Sequence, residues 1–258
     1  AQDQRVMVLG GGGVGESKLS SSRTAIVDLK EDDPVFRSSA RLPQGTRYLS
    51  SVLLPDDSVF TTGGSRDYRG RGASDIHKAQ FYYPRTDSFV AAADPSVGRN
   101  YHSEALLLPD GRVATFGSDP LFADKDNTRL GKFEHRLEVY SPPYLYRDPA
   151  RRPVLGAGPA EVGPDGRATF EAAHPERIRR ARLMRPSAVT HTTDVEQRSI
   201  ELGLLVHAVR DGRGRDALGG EVAPGRGTEA GSGSGTRAGA RGVGRGSYSL
   251  LRLARPSA

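Results

Sequence analysis

At 258 residues the chain is long enough for one large or two ordinary domains, and its lack of cysteine excludes disulfides, zinc–thiolate sites and thiol catalysis within it. Hydrophobic residues make up only 36% while glycine is used 32 times, which favours turn-rich all-β structure over helical bundles. The net charge of +6 is mostly arginine and part of it lies in a glycine-rich C-terminal stretch, so it bears on solubility rather than on specific nucleic-acid binding, and no apolar run is long enough to span a bilayer.

Ala1-Gln2-Asp3-Gln4 is neither an export signal nor an initiator segment, so a removed leader or a longer parent chain is expected. The first predicted strand is Arg5–Leu9, which runs into Gly10-Gly11, and Thr24–Leu29 forms the next. Gly10–Ser17 imitates a phosphate loop, but Glu16 stands where the phosphate-binding lysine belongs. Tyr48–Leu54 and Ser58–Thr62 are predicted strands joined by a turn at Leu54-Pro55-Asp56, where Pro fixes φ and Asp bonds its own backbone. Gly63-Gly64 follows, then the polar loop Asp67–Gly72, placed by the repeat near a substrate mouth, and then the strand Ala79–Tyr83. The same plan returns with Tyr101–Leu108, the turn Leu108-Pro109-Asp110, the strand Arg112–Phe116, Gly117-Ser118, and the strand Leu137–Tyr140.

Val6, Val59 and Val113 lie 53 and 54 positions apart, and Tyr48 is read as the counterpart of Tyr101 one repeat earlier. A period near 50 with paired glycines after a buried strand is the kelch pattern of a propeller blade. Two to three blades are read here against the roughly 4–8 that close a propeller, so further blades are expected upstream, in the same chain or a companion.

After residue 150 the pattern changes. Pro153–Leu155, Arg167–Glu171, Ala181–Met184 and Ser199–Leu202 are short predicted strands separated by turn residues, and Ala173–Arg180 could hold a helical turn. From Val206 onward the text is mostly Gly, Arg, Ala and Ser, without Ile, Phe, Lys, Asn, Gln or Met, too poor in apolar surface to offset ordering entropy. A shifted reading frame or a natural disordered tail explains it. The expected organisation is therefore all-β: 1–150 late blades of a kelch-type propeller, 151–205 a partial immunoglobulin-like sandwich, and 206–258 a disordered Gly/Arg-rich tail.

Two motifs carry chemistry. Asn100-Tyr101-His102-Ser103 runs into Leu107-Leu108-Pro109-Asp110-Gly111-Arg112-Val113, and Ala188-Val189-Thr190-His191-Thr192 is followed by Asp194, Gln197 and Arg198. A phenol and two imidazoles suffice to hold a transition metal, and a tetragonal N,O set suits Cu(II). Consecutive strand residues face opposite ways, so Tyr101 and His102 can share a metal only where the strand begins or bends, which Gly98-Arg99-Asn100 would allow. His77, His135, His174 and His207 have no partners at ligand spacing and are read as surface or loop residues.

These paired motifs, in this order, resemble the C-terminal part of galactose oxidase-like copper radical oxidases, particularly the bacterial glyoxal-oxidase-like branch, from about Gln4 to Leu205. The resemblance implies Tyr101, His102 and His191 as copper ligands, with His191 reaching the metal from the C-terminal domain. It further implies oxidation of a primary alcohol, carbohydrate or small aldehyde, with dioxygen reduced to hydrogen peroxide, at an extracellular or cell-surface location. The family's oxidant is a tyrosyl radical on a tyrosine cross-linked to cysteine, and this chain has no cysteine, so it is expected to be inactive alone. The rival expectation is a non-catalytic kelch module that binds a glycan or protein through its loops. A fragment without independent function is a third.

Overall fold

The computed structural model describes residues 4–13, 19–67, 72–119, 122–124, 126–162, 167–172, 174–185, 197–210, 216–224 and 251–252, with side chains as far as Leu204. The chain divides into two compact units, Ala1–Ala150 with Arg185–Ser199, and Arg151–Met184 with Ile200–Ala258. Both are built from antiparallel sheet, and among the described residues only single 3₁₀ turns are helical.

The first unit contains three meanders in chain order. The first sheet is β1 (Arg5–Leu9), β2 (Thr24–Asp28) and β3 (Arg37–Ser38). The second is β4 (Ser50–Leu53), β5 (Val59–Thr62), β6 (Ala79–Tyr83) and β7 (Ser88–Ala91), and the third is β8 (Glu104–Leu107), β9 (Val113–Phe116) and β10 (Glu138–Tyr140). Among the described residues these sheets do not close into a ring.

Local chemistry sets the hairpins. In the β4–β5 turn the Asp57 N–H donates to Leu54 O at 3.1 Å, and Asp56 Oδ1 accepts the Ser58 N–H at 3.1 Å and its hydroxyl at 2.6 Å. The β8–β9 turn repeats this, with Gly111 N donating to Leu108 O at 2.9 Å and Asp110 Oδ1 accepting Arg112 N–H at 2.9 Å. Both turns need a left-handed residue, Asp57 at φ 71° and Gly111 at φ 88°. The glycine after β5 lies against the segment that leads into the third sheet. Gly63 adopts φ 70°, and a Cβ there would collide with the carbonyl oxygen of Arg99.

The core lies between the second and third sheets. Val52, Leu54, Phe60, Ala79 and Phe81 from one pack with Ala105 and Val113 from the other. Phe60 of β5 stacks on Tyr140 of β10 with ring centres 4.4 Å apart, and Phe81 of β6 stands 5.6 Å from Phe60. Inner edge strands β4 and β8 meet where the Ser50 hydroxyl donates to the Ser103 carbonyl at 3.2 Å, in buried surroundings.

The structure keeps the 54-residue spacing of Val59 and Val113 but shifts the expected partner of Tyr48 by one residue. The β4–β5 and β8–β9 pairings superpose with an offset of 54, as in Leu53↔Val59 against Leu107↔Val113. Tyr48 therefore corresponds to His102, not to Tyr101, and Arg47 corresponds to Tyr101. Backbone conformation agrees: Tyr48 and His102 share left-handed φ values of 59° and 56°.

The second unit is a five-stranded sheet, ordered β11 (Ala168–Glu171), β14 (Asp216–Pro224), β13 (Arg198–Arg210), β12 (Ala181–Arg185) and β15 (Leu251–Arg252). The predicted strand at Pro153–Leu155 is reduced to a single bridge, Leu155↔Ala172. The expected helical turn is a 3₁₀ turn at Pro175–Arg177. Strand backbone also continues past Leu205, where composition predicted none. β13 pairs with β14 from Leu202↔Pro224 to Arg210↔Asp216, so each satisfies the other's backbone groups. Residues 211–215, 225–250 and 253–258 lie outside the described residues.

Candidate metal centre

The segment leading into β8 is held by buried polar groups. Arg99 has 1% of its surface exposed; its Nη1 donates to Gly117 O, and its Nη2 reaches Glu138 Oε2 at 3.2 Å. Glu138 in turn accepts the Ser96 N–H at 2.9 Å and hydroxyl at 2.6 Å. Desolvation opposes ionisation of Glu138, but these donors and Arg99 together hold its carboxyl below the usual range. A buried guanidinium is tolerable only with such a partner.

Two residues further on, the chain turns. Ser103 donates its N–H and hydroxyl to Asn100 O at 3.1 and 2.6 Å, and Asp119 N–H caps Tyr101 O at 2.7 Å. The left-handed φ at His102 breaks the alternation of a regular strand, so Tyr101 and His102 lie against each other. Their rings stack with centres 3.9 Å apart and planes 29° from parallel. The expected bend exists, but it falls at His102 itself rather than at Gly98-Arg99-Asn100. Tyr48 meets Tyr101 edge-on at 5.3 Å, making a second phenol part of the cluster.

His102 Nδ1 stands 3.7 Å from Asp119 Oδ2. A carboxylate near one ring nitrogen is the usual companion of a metal-ligating histidine, since it orients the ring and leaves the other nitrogen as donor. Phenol, imidazole and rear carboxylate thus fit a copper site in part. Among the described residues no three His, Cys, Asp or Glu side chains converge, so a third ligand must come from elsewhere.

The sequence supplied His191 for that role, and His191, Thr190 and Asp194 lie outside the described residues. The flank of that motif is described. Gln197 Oε1 accepts the backbone N–H of Leu53 on the edge strand β4, tying this flank to the second sheet. Arg198 opens β13.

The remaining histidines are dispersed. His174 pairs with Glu176 at 3.4 Å, and His135 packs on Phe133 with ring centres 5.0 Å apart. The side chain of His207 lies outside the described residues. His77 lines a cleft of about 470 Å³ with Asp75, Ser118, Lys132 and Arg136. Of the loop Asp67–Gly72, Asp67 Oδ1 accepts the Ser74 hydroxyl at 2.7 Å, and residues 68–71 lie outside the described residues.

Sequence reasoning missed Asp75, Asn100, Ser118 and Asp119 around the site. Asn100 and Ser118 are buried at 0% and 2% exposure, and polar residues beside a glycine run carry no sequence sign of burial. Desolvation pushes the Asp75 carboxyl from an ordinary 3.8 to about 6, against the Asn100 amide and His77, which favour the ionised form.

No protein-family model matches the chain. Galactose oxidase from Gibberella zeae is 31% identical over 211 residues, covering 78% of this chain and 29% of that protein. Aldehyde oxidase GLOX from Vitis pseudoreticulata is 32% identical over 130 residues, 47% of this chain and 24% of that protein. The chain thus spans under a third of these relatives. Among solved structures, a fungal alcohol oxidase of the AA5 family in complex with copper aligns over 86% of this chain and 45% of that one, with TM-score 0.68 and 23% identity, a likeness of fold. The chain is a homologue of the galactose oxidase-like copper radical oxidases, and its 258 residues, having no cysteine, cannot form that family's Cys–Tyr cofactor.

Proposed function

We propose that the chain is the late part of a kelch-type propeller joined to part of an immunoglobulin-like sandwich, and that it keeps a copper site while lacking the radical partner. Tyr101, His102 and His191 are its ligands, and Asp119 orients His102. Copper bound there supplies one electron equivalent toward oxidation of a primary alcohol, carbohydrate or small aldehyde by dioxygen. The second equivalent belongs to a cross-linked tyrosine that this chain cannot make. The chain alone therefore binds copper without turnover, and any catalysis needs further blades in cis or trans, outside the cytoplasm.

The reading rests on the turn at His102, which sets a phenol and an imidazole side by side with a carboxylate behind. Metal analysis after loading and desalting tests it. The expected result is a single copper per chain, lost in His102→Ala, with no peroxide formed from primary alcohols or aldehydes. Uptake equal in wild type and His102→Ala would overturn the assignment. The cleft beside Asp75 and His77 favours one rival, a non-catalytic module that takes a glycan or protein partner in its loops. That rival predicts no copper and retention on a glycan array.

A further inference from the structure

We propose that the buried Asn100 and the partly buried Asp75 form an amide–carboxylate brace that positions the Tyr101–His102 pair, an inference that rests on reading those two side chains as metal ligands. Asn100 has 0% of its surface exposed, although it is polar and precedes the turn directly. Its Oδ1 accepts the Tyr101 N–H at 2.5 Å and the Ser118 hydroxyl at 2.8 Å, while its Nδ2 donates to Asp75 Oδ1. Its backbone carbonyl takes both Ser103 donors that close the turn. Both polar atoms of this side chain are thus bonded, and its Oδ1 holds the Tyr101 N–H directly.

Asp75 lies beyond β5, in the connection to β6 of the second sheet, so the brace ties one sheet to the turn that opens the next. Gly98 makes the approach possible, because a Cβ there would collide with the Asp75 carboxylate. A partly buried carboxylate gains from a nearby donor, and the Asn100 amide is one the structure provides.

The equivalent position one sheet earlier shows what the brace adds. Thr46, 54 residues before Asn100, is also buried, but its hydroxyl only donates to Gln44 O at 3.1 Å. Among the described residues it makes no link to a carboxylate. A generic strand-opening role needs nothing more than Thr46 provides, and among the described residues the additional link is made at the turn bearing the phenol–imidazole pair.

The test exchanges the two partners. Asn100→Asp sets two carboxylates against each other, Asp75→Asn leaves two amides, and the double exchange restores one donor and one acceptor with polarity reversed. The first readout needs no metal: the proton NMR shifts of the His102 ring, moved upfield by the stacked Tyr101 ring. At neutral pH, Asn100→Asp is expected to lose most of that displacement and the double exchange to recover it.

The second readout is Cu(II) affinity, expected to fall about tenfold or more in Asn100→Asp, the usual scale for losing a group behind a ligand, and to return in the double exchange. A folded Asn100→Asp with unchanged His102 shifts would overturn the brace. Should Asn100→Asp fail to fold, the double exchange decides, with wild-type shifts supporting the brace and altered shifts refuting it. If wild type takes up no copper, the ligand reading falls, while the ring shifts still judge whether Asn100 and Asp75 hold the turn.

Discussion

The left-handed backbone at His102 is the local event from which the site follows. A non-glycine residue in that region is held there against its own preference by surrounding hydrogen bonds, and such positions cluster at functional sites. Tyr48 at the matching place of the preceding sheet shares the conformation and touches Tyr101, so both left-handed residues border one cluster. Gly63 shows the complementary case. Gly63→Ala is expected to cost at least about 1–2 kcal/mol from its positive φ alone, plus the collision with Arg99 O, read as a lower urea midpoint. Asp75 gives a pH signature of known sign. Its folded-state pKa lies near 6 against an ordinary 3.8, so the folded state holds its proton longer. Its contribution is most favourable below about pH 4 and is lost as pH rises through about 6. The difference in unfolding free energy between wild type and Asp75→Asn should therefore change between those limits. A flat difference would mean Asp75 is solvated like an ordinary surface carboxylate.

At the scale of elements, the pairing of the second and third sheets depends on rings crossing between them. Phe60 is 1% exposed and lies between Phe81 and Tyr140, so Phe60→Ala is expected to cost about 3–5 kcal/mol in urea unfolding. A double-mutant cycle of Phe60 with Tyr140 should show coupling of about 0.5–1.5 kcal/mol, and additive losses would indicate that the sheets do not rely on that stack. The elements readable from sequence were those with local chemistry: the Leu-Pro-Asp turns, whose Asp side chains do bond their own backbone, and the strands ending in paired glycine. β3 and β7 escaped because Arg37-Ser38 is too short to show a pattern and Ser88–Ala91 lacks polar alternation. Pro153–Leu155 misled because apolar content without a neighbouring N–H donor ladder yields only a bridge. Tyr101 and His102 stood out as candidates because rare residue types stood in a repeat. Their supports did not, since the burial of Asn100 and its link to Asp75 arise from contact across the chain.

At the scale of the whole molecule, homology and composition pull in different directions. Ancestry links the chain to oxidases that pair copper with a radical, while its composition withholds the thiol from which that radical cofactor is made. The molecule also spans less than a third of those relatives. Among the described residues no helix is long and apolar enough to cross a membrane. The most direct test is electron paramagnetic resonance of the chain loaded with Cu(II). The account predicts a tetragonal spectrum with hyperfine splitting from two imidazole nitrogens, reduced to one nitrogen in either His102→Ala or His191→Ala. A spectrum of aqueous copper, or one unchanged by both substitutions, would contradict it.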